Sequence, residues 1–191
     1  MAMTSAAERI SAEELSAEYL HWASGRYPGG RGTVSAAGTA LSQDGHPPRE
    51  QWPYDPSIDE TDPSYAPPGS VIGPYAHKSV HELSDLDAIV KALAEGRWVV
   101  VGLRVTDAFA AAGTGVVLPD GTGRAGHAVV AVAAALVTTN QLAPAVVEGE
   151  RLLCVRNSWG QGWGSNGHKL VTEAALRECM ITAIALVPAD G

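Results

Sequence analysis

A histidine at the mouth of an apolar run, Gly126-His127-Ala128-Val129, and an asparagine in Arg156-Asn157-Ser158-Trp159-Gly160-Gln161-Gly162-Trp163-Gly164 are the side chains of this sequence best suited to proton chemistry. An imidazole takes and returns a proton near neutral pH, and an amide carbonyl set against one ring nitrogen fixes its tautomer and orientation. Gly160, Gly162 and Gly164, with Trp159 and Trp163 between them, force a tight irregular backbone while supplying rigid apolar plates. Other candidates are poorer. Cys154 falls in the run leading to Asn157, and Cys179 falls between a short helical stretch and the last apolar run; both read as structural thiols. Gly121-Thr122-Gly123-Arg124-Ala125-Gly126 satisfies the Gly-x-Gly-x-x-Gly spacing but has no βαβ unit around it, so a turn entering the His127 strand is preferred to a dinucleotide site. His77 and His81 have no third ligand nearby, so neither a metal nor a cofactor is expected. Asp59, Glu60 and Asp62 lie among prolines and read as a solvated loop face.

For His127 and Asn157 to meet, each must stand at the end of a strand in a common sheet. Trp98 to Val105, His127 to Val137, Arg151 to Arg156, His168 to Val171 and Met180 to Val187 read as strands, rich in Val and Ile and broken by Gly, Pro or Asn. The Ala-rich His127 run is ambiguous, because periodicity alone does not separate a buried strand from a buried helix. Before Gly96 the pattern is helical. Ser11 and Glu14 make a capping box for a helix with Leu15, Tyr19 and Trp22 on one face, stopped at Gly25. A second helix is expected from Val34 to Gln43. A third is expected to be capped by Ser84, to carry Leu86, Ile89, Val90 and Leu93 on one face, and to close at Gly96. Eight of the twelve prolines lie between Asp44 and Tyr75, which rules out regular helix there and predicts an ordered surface loop. The fold class expected is α+β: a helical, Pro-rich part over residues 1–96 packed against an antiparallel, β-rich half over 97–191 that carries the His/Asn site.

The composition narrows the function. The 191 residues, 46% apolar, suit one domain or two small subdomains sharing a cleft. A formal charge of −8 without any basic cluster argues against nucleic-acid partners. The longest apolar run, Ala128 to Val137, is too short to span a bilayer, and Glu8 and Arg9 stand where a secretion signal needs apolar residues. Two cysteines make no disulfide framework, so a reducing, cytoplasmic location is expected.

The Asn157-Ser158-Trp159-Gly160 to Trp163-Gly164 string with the upstream Gly126-His127-Ala128-Val129 resembles the papain-like cysteine peptidases. Ile10 to Leu15 is similar to the segment that follows that family's central helix. Gly45 to Tyr54, with Glu50 and Trp52-Pro53-Tyr54, is similar to its Tyr-Pro-Tyr region, and Ala92 to Gly96 followed by Val99 to Val101 to its entry into the β half. The resemblance implies that His127 is the general base, Asn157 its orienting partner and Trp159 the shield of their hydrogen bond, with Gly126 and Ser158 supporting. It also implies a departure. The family's nucleophilic Cys stands roughly 130 to 150 residues before the His and Asn, where this chain has no Cys. Ser5 falls in that window but is followed by Ala6, and a hydroxyl is a far weaker nucleophile than a thiolate. The expectation is therefore a family member with no nucleophile of its own, its central helix missing or supplied elsewhere, and no activity as an isolated chain. Hydrolysis would need a Cys-bearing segment from a partner or from upstream; the alternative is a pseudopeptidase that binds peptides or acts as a scaffold subunit. Either reading implies a peptide or protein ligand and a protein partner or self-association, because a papain-like fold without that helix leaves apolar side chains uncovered.

Overall fold

Ser16 opens the first helix: its hydroxyl oxygen accepts the N–H of Tyr19 at 3.0 Å and donates to the carbonyl of Trp52 at 2.6 Å. The computed structural model describes residues 14–71, 79–113, 115–138 and 146–187. Helix α1 runs Ala17–Ser24 and ends at Gly25. The expected start at Ser11 is thus corrected, because Leu15 is extended and forms an isolated antiparallel bridge with Pro48. An N-cap must itself be non-helical, and Ser16 meets that condition with ψ 100°. Ser5 and Ser11 lie outside the described residues. Helix α2 runs Val34–Gln43, as its sequence pattern predicts, and is capped by Thr33, whose hydroxyl accepts the N–H of Ala36.

The proline-rich segment is ordered by its own side chains. Asp55, Asp59 and Asp62 each accept the N–H and hydroxyl of the Ser or Thr two residues on, which holds three successive tight turns without helix. Trp52 and Tyr65 anchor the segment with ring centroids 5.4 Å apart, both buried. The acidic face at Asp59, Glu60 and Asp62 is exposed, and Glu60 pairs with His21.

The chain divides into two compact units, one ending at His81 and rejoined by Leu186 onward, the other running Glu82–Ala185. In the latter part, β1 (Ser79–Leu83) leads into α3 (Leu86–Ala94), followed by β2 (Trp98–Arg104), a short turn of helix α4 (Asp107–Ala110), β3 (Gly126–Leu136), β4 (Arg151–Arg156), β5 (His168–Thr172), α5 (Glu173–Cys179) and β6 (Met180–Val187). Two expectations need correction. The N-cap of α3 is Asp85, whose carboxylate accepts the N–H of Ala88 at 2.9 Å, while Ser84 donates its hydroxyl to that carboxylate. A carboxylate outcompetes a hydroxyl for this place because it also complements the helix dipole. The strand β1 and the turn α4 are additional elements, both too short to show a period.

The strands form one sheet in the order β1-β6-β2-β3-β4-β5, with β2–β3, β3–β4 and β4–β5 antiparallel. The Ala-rich segment is a strand because β3 pairs along both edges, with Val129 opposite Val101 on one side and Val130 opposite Arg156 on the other. One sheet face carries the core. Val99, Val101 and Leu103 of β2, Val129 and Ala131 of β3, and Leu153 and Val155 of β4 pack with Leu86, Ile89 and Ala92 of α3. Helix α3, expected in the helical part, thus covers the sheet. The fold is α+β.

Candidate active site

Strand alternation brings the two site residues to one face. His127 stands directly opposite Leu103, on the side of Val129 and Ala131. Asn157 is one residue beyond β4, in phase with Leu153 and Val155 of the same core face. His127 Nε2 lies 2.8 Å from Asn157 Oδ1. That oxygen also accepts the backbone N–H of Ser158 at 2.7 Å. A backbone N–H only donates, so the atom it meets must be the amide oxygen. The facing nitrogen of His127 must then be the donor, and the neutral ring carries its proton on Nε2 and its lone pair on Nδ1. Asn157 is 8% exposed and its Nδ2 has no partner among the described residues, so the carbonyl end alone is put to use.

The loop after Asn157 builds the wall beside the pair. The Asn157 N–H donates to the carbonyl of Gly167 at 2.9 Å, and Gly167 N–H to that of Trp163 at 2.9 Å, closing the loop on itself. Gly164 has φ +60°, and a Cβ there would lie 2.1 Å from the carbonyl oxygen of His168, so glycine is required. The closed loop aims two indoles. Trp159 lies over His127 with ring centroids 4.9 Å apart and planes 32° from parallel, and it remains 44% exposed on its outer side. Trp163 is buried at its edge, 5.9 Å away. Ser158 contributes its main-chain N–H, and its side chain is exposed; Gly126 begins β3 opposite Arg104 with room for a side chain.

Phe109 joins this cluster although the motif does not contain it. Its ring is buried, 4.9 Å from Trp163, 5.7 Å from Trp159 and 6.3 Å from His127. The sequence does carry a signal for it: it is the sole Phe, and Thr106-Asp107 just before it is an N-cap pattern directly after a strand. Lys169 is also in reach, buried beneath the same turn.

Neither thiol belongs to the site. Cys154 is opposite in phase to Leu153 and Val155, so it faces the other side of the sheet from His127. Cys179 sits in the core, 2% exposed. Burial pushes both thiols above their ordinary pKa, the reverse of what a nucleophile needs. Gly121 to Gly126 form a turn whose next element is a strand, as the sequence predicts. His81 lies in β1 and His77 outside the described residues, among which no group of three or more His, Cys, Asp or Glu could hold a metal. No helix among them is long and apolar enough to cross a membrane.

The papain family cysteine protease profile matches residues 30–189. The chain belongs to that family. Among solved structures it is similar to xylellain, a cysteine protease from Xylella fastidiosa, at TM-score 0.75 and 19% identity over 99% of this chain and 78% of the other. It is also similar to procathepsin B S9 from Trypanosoma congolense, at 0.69 and 18% over 99% and 66%. The Carica candamarcensis cysteine protease CMS1MS2 aligns at 0.65 and 17% over 99% and 87%. At these identities the likeness speaks for the fold. A search of the curated proteins gave no significant match.

Proposed function

We propose that this chain supplies the base half of a papain-type thiol peptidase site, with His127 as general base and acid, Asn157 as its orienting partner and Trp159 as the cover of their hydrogen bond. The observation that carries this reading is the 2.8 Å contact of Nε2 with an amide oxygen whose identity the Ser158 N–H dictates. It leaves Nδ1 as the basic nitrogen, suited to take a proton from a thiol set beside it. Cys154 and Cys179 do not serve as that thiol, so peptide hydrolysis requires a Cys-bearing segment from a partner chain or from upstream. Both cysteines are free, as suits a reducing cytoplasm.

The second reading, a pseudopeptidase that binds a peptide or acts as a scaffold subunit, is favoured by a half-buried Cys154 and a buried Cys179 whose thiols are both pushed above their ordinary pKa. One experiment separates the two. The full chain is assayed on fluorogenic peptides alone, and again after joining to its N-terminus, or adding in trans, a helix that bears a Cys. Hydrolysis only in the second case, abolished by His127→Gln, supports the peptidase reading. Peptide binding without turnover in both cases supports the pseudopeptidase. Turnover by the chain alone that depends on Cys154 or Cys179 refutes both.

A further inference from the structure

Lys169 is the buried group that the proposed chemistry does not use. Alternation along β5 puts it on the core face with Val171, and it is 5% exposed. Among the described residues no carboxylate pairs with it. A buried ammonium is tolerated only where its protons are all taken up. Here Nζ donates to the carbonyls of Ala111 at 2.6 Å, Phe109 at 3.1 Å and Ala108 at 3.4 Å, and lies 4.9 Å from the centre of the Trp163 ring. These are the carbonyls that a short helical turn leaves unsatisfied at its end. A Met or Leu at 169 would fill the same space, so volume alone does not account for a lysine.

The clamped element is α4, and its buried side chain is Phe109. The front of the turn is fixed independently: Thr106 accepts the N–H of Phe109 at 3.1 Å, Asp120 that of Ala108 at 2.6 Å and Thr122 that of Asp107 at 2.8 Å. The rear of the turn is tied to the aromatic cluster directly. There the Phe109 carbonyl receives both Lys169 Nζ and the indole N–H of Trp163, each at 3.1 Å, tying the turn to the wall beside His127.

We propose that Lys169 is a positioning residue of the His127–Asn157 site: its ammonium clamps the turn Asp107–Ala110 so that Phe109 braces Trp159 against the His127 ring. The role rests on the reading of His127 as the working base, but its test needs no thiol and no hydrolysis. An imidazolium facing an indole quenches its fluorescence more than neutral imidazole does, so the fluorescence of the full chain should step between the protonated and neutral forms of the His127 ring. Loss of that step in His127→Gln and in Trp159→Phe assigns it to the stacked pair. In Lys169→Met the step should fall to about half or less, as the rings drift past the range of about 6 Å over which a cation and an indole interact, while cooperative unfolding is kept. Lys169→Gln, which keeps one donor, should lie between, and it carries the test if Lys169→Met does not fold. A full-sized step in whichever variant folds overturns the proposal. So does a wild-type chain without a His127-dependent step, and so does failure of both variants to fold, which would make the ammonium a requirement of the fold itself.

Discussion

Replacing Asn157 by Asp converts the partner of His127 from a neutral acceptor to an anion without altering its shape. The distance is set by the existing 2.8 Å contact, which puts the charge centres of an imidazolium and a carboxylate about 4 Å apart; at an effective dielectric constant of 20 their attraction is about 4 kcal/mol. Burial of the new carboxylate opposes part of this, since position 157 is 8% exposed and the second oxygen would inherit the place of an Nδ2 that has no partner among the described residues. About 1 to 3 pH units of upward displacement of the His127 midpoint should survive, at about 1.4 kcal/mol per unit. The sign for stability follows. A histidine whose folded pKa is raised above its unfolded value of about 6.5 contributes stability that is present below that value and lost as pH rises through the raised folded midpoint. Relative to the parent, Asn157→Asp should therefore lose stability progressively as pH rises between the two midpoints. The assay is an NMR titration of the His127 ring protons, assigned by their absence in His127→Gln, beside melting curves over the same range. A midpoint that moves by less than about half a unit, or falls, would mean that the two side chains are not in contact in solution, and the proton assignment would go with it.

Two further outcomes follow from the same geometry. Gly164→Ala should cost about 2 to 4 kcal/mol in denaturant unfolding, from about 1 to 2 for the left-handed backbone and about 1 or more for displacing the His168 carbonyl from its 2.8 Å bond with Ser165 N–H; a loss under about 1 kcal/mol would show that the loop closes differently. Alkylation of Cys154 and Cys179 by iodoacetamide should climb steadily with pH through 8, since burial raises both thiols, whereas a rate plateau below about pH 7 would reveal a tuned nucleophile.

The parts legible in the sequence are those whose signal is local. Val34–Gln43 and Arg151–Arg156 have the bounds that their sequence patterns predict. Chemistry explains the misses. A serine and an aspartate stand side by side at 84 and 85, and only the electrostatics of the helix terminus chooses the second. Leu15 falls outside the helix whose apolar face it is expected to share because it pairs with Pro48, a partner invisible to any window along the chain. The His127 and Asn157 motif names two residues of the site, yet Phe109 and Lys169 come to it only through the sheet, which sets β5 beneath the turn that follows β2. A lysine at an inward position of a strand was the available sign, since such a residue must find polar partners.

The His127–Asn157 pair, both tryptophans, Phe109 and Lys169 all belong to the unit that spans Glu82–Ala185. The His127–Asn157 pair is therefore organised within one unit, and its hydrogen bond does not call on a thiol to complete it. Formation of the pair thus says little about turnover, because an enzyme and a binding protein derived from it would hold the same tautomer for the same reason. Exposure is more informative. Trp159 keeps 44% of its surface open while Phe109 and Trp163 beneath it are closed, so the stacked ring presents an apolar plate outward directly above a basic nitrogen. An apolar plate beside a proton acceptor is the lining that the proposed function asks for, since a peptide backbone must bring its carbonyl or amide to the imidazole. The placement of the cysteines then separates the two proposed functions: Cys179 lies in the core and Cys154 is half-buried on the face of the sheet away from His127, so the peptidase reading needs a thiol that is neither of them, whereas the pseudopeptidase reading needs none.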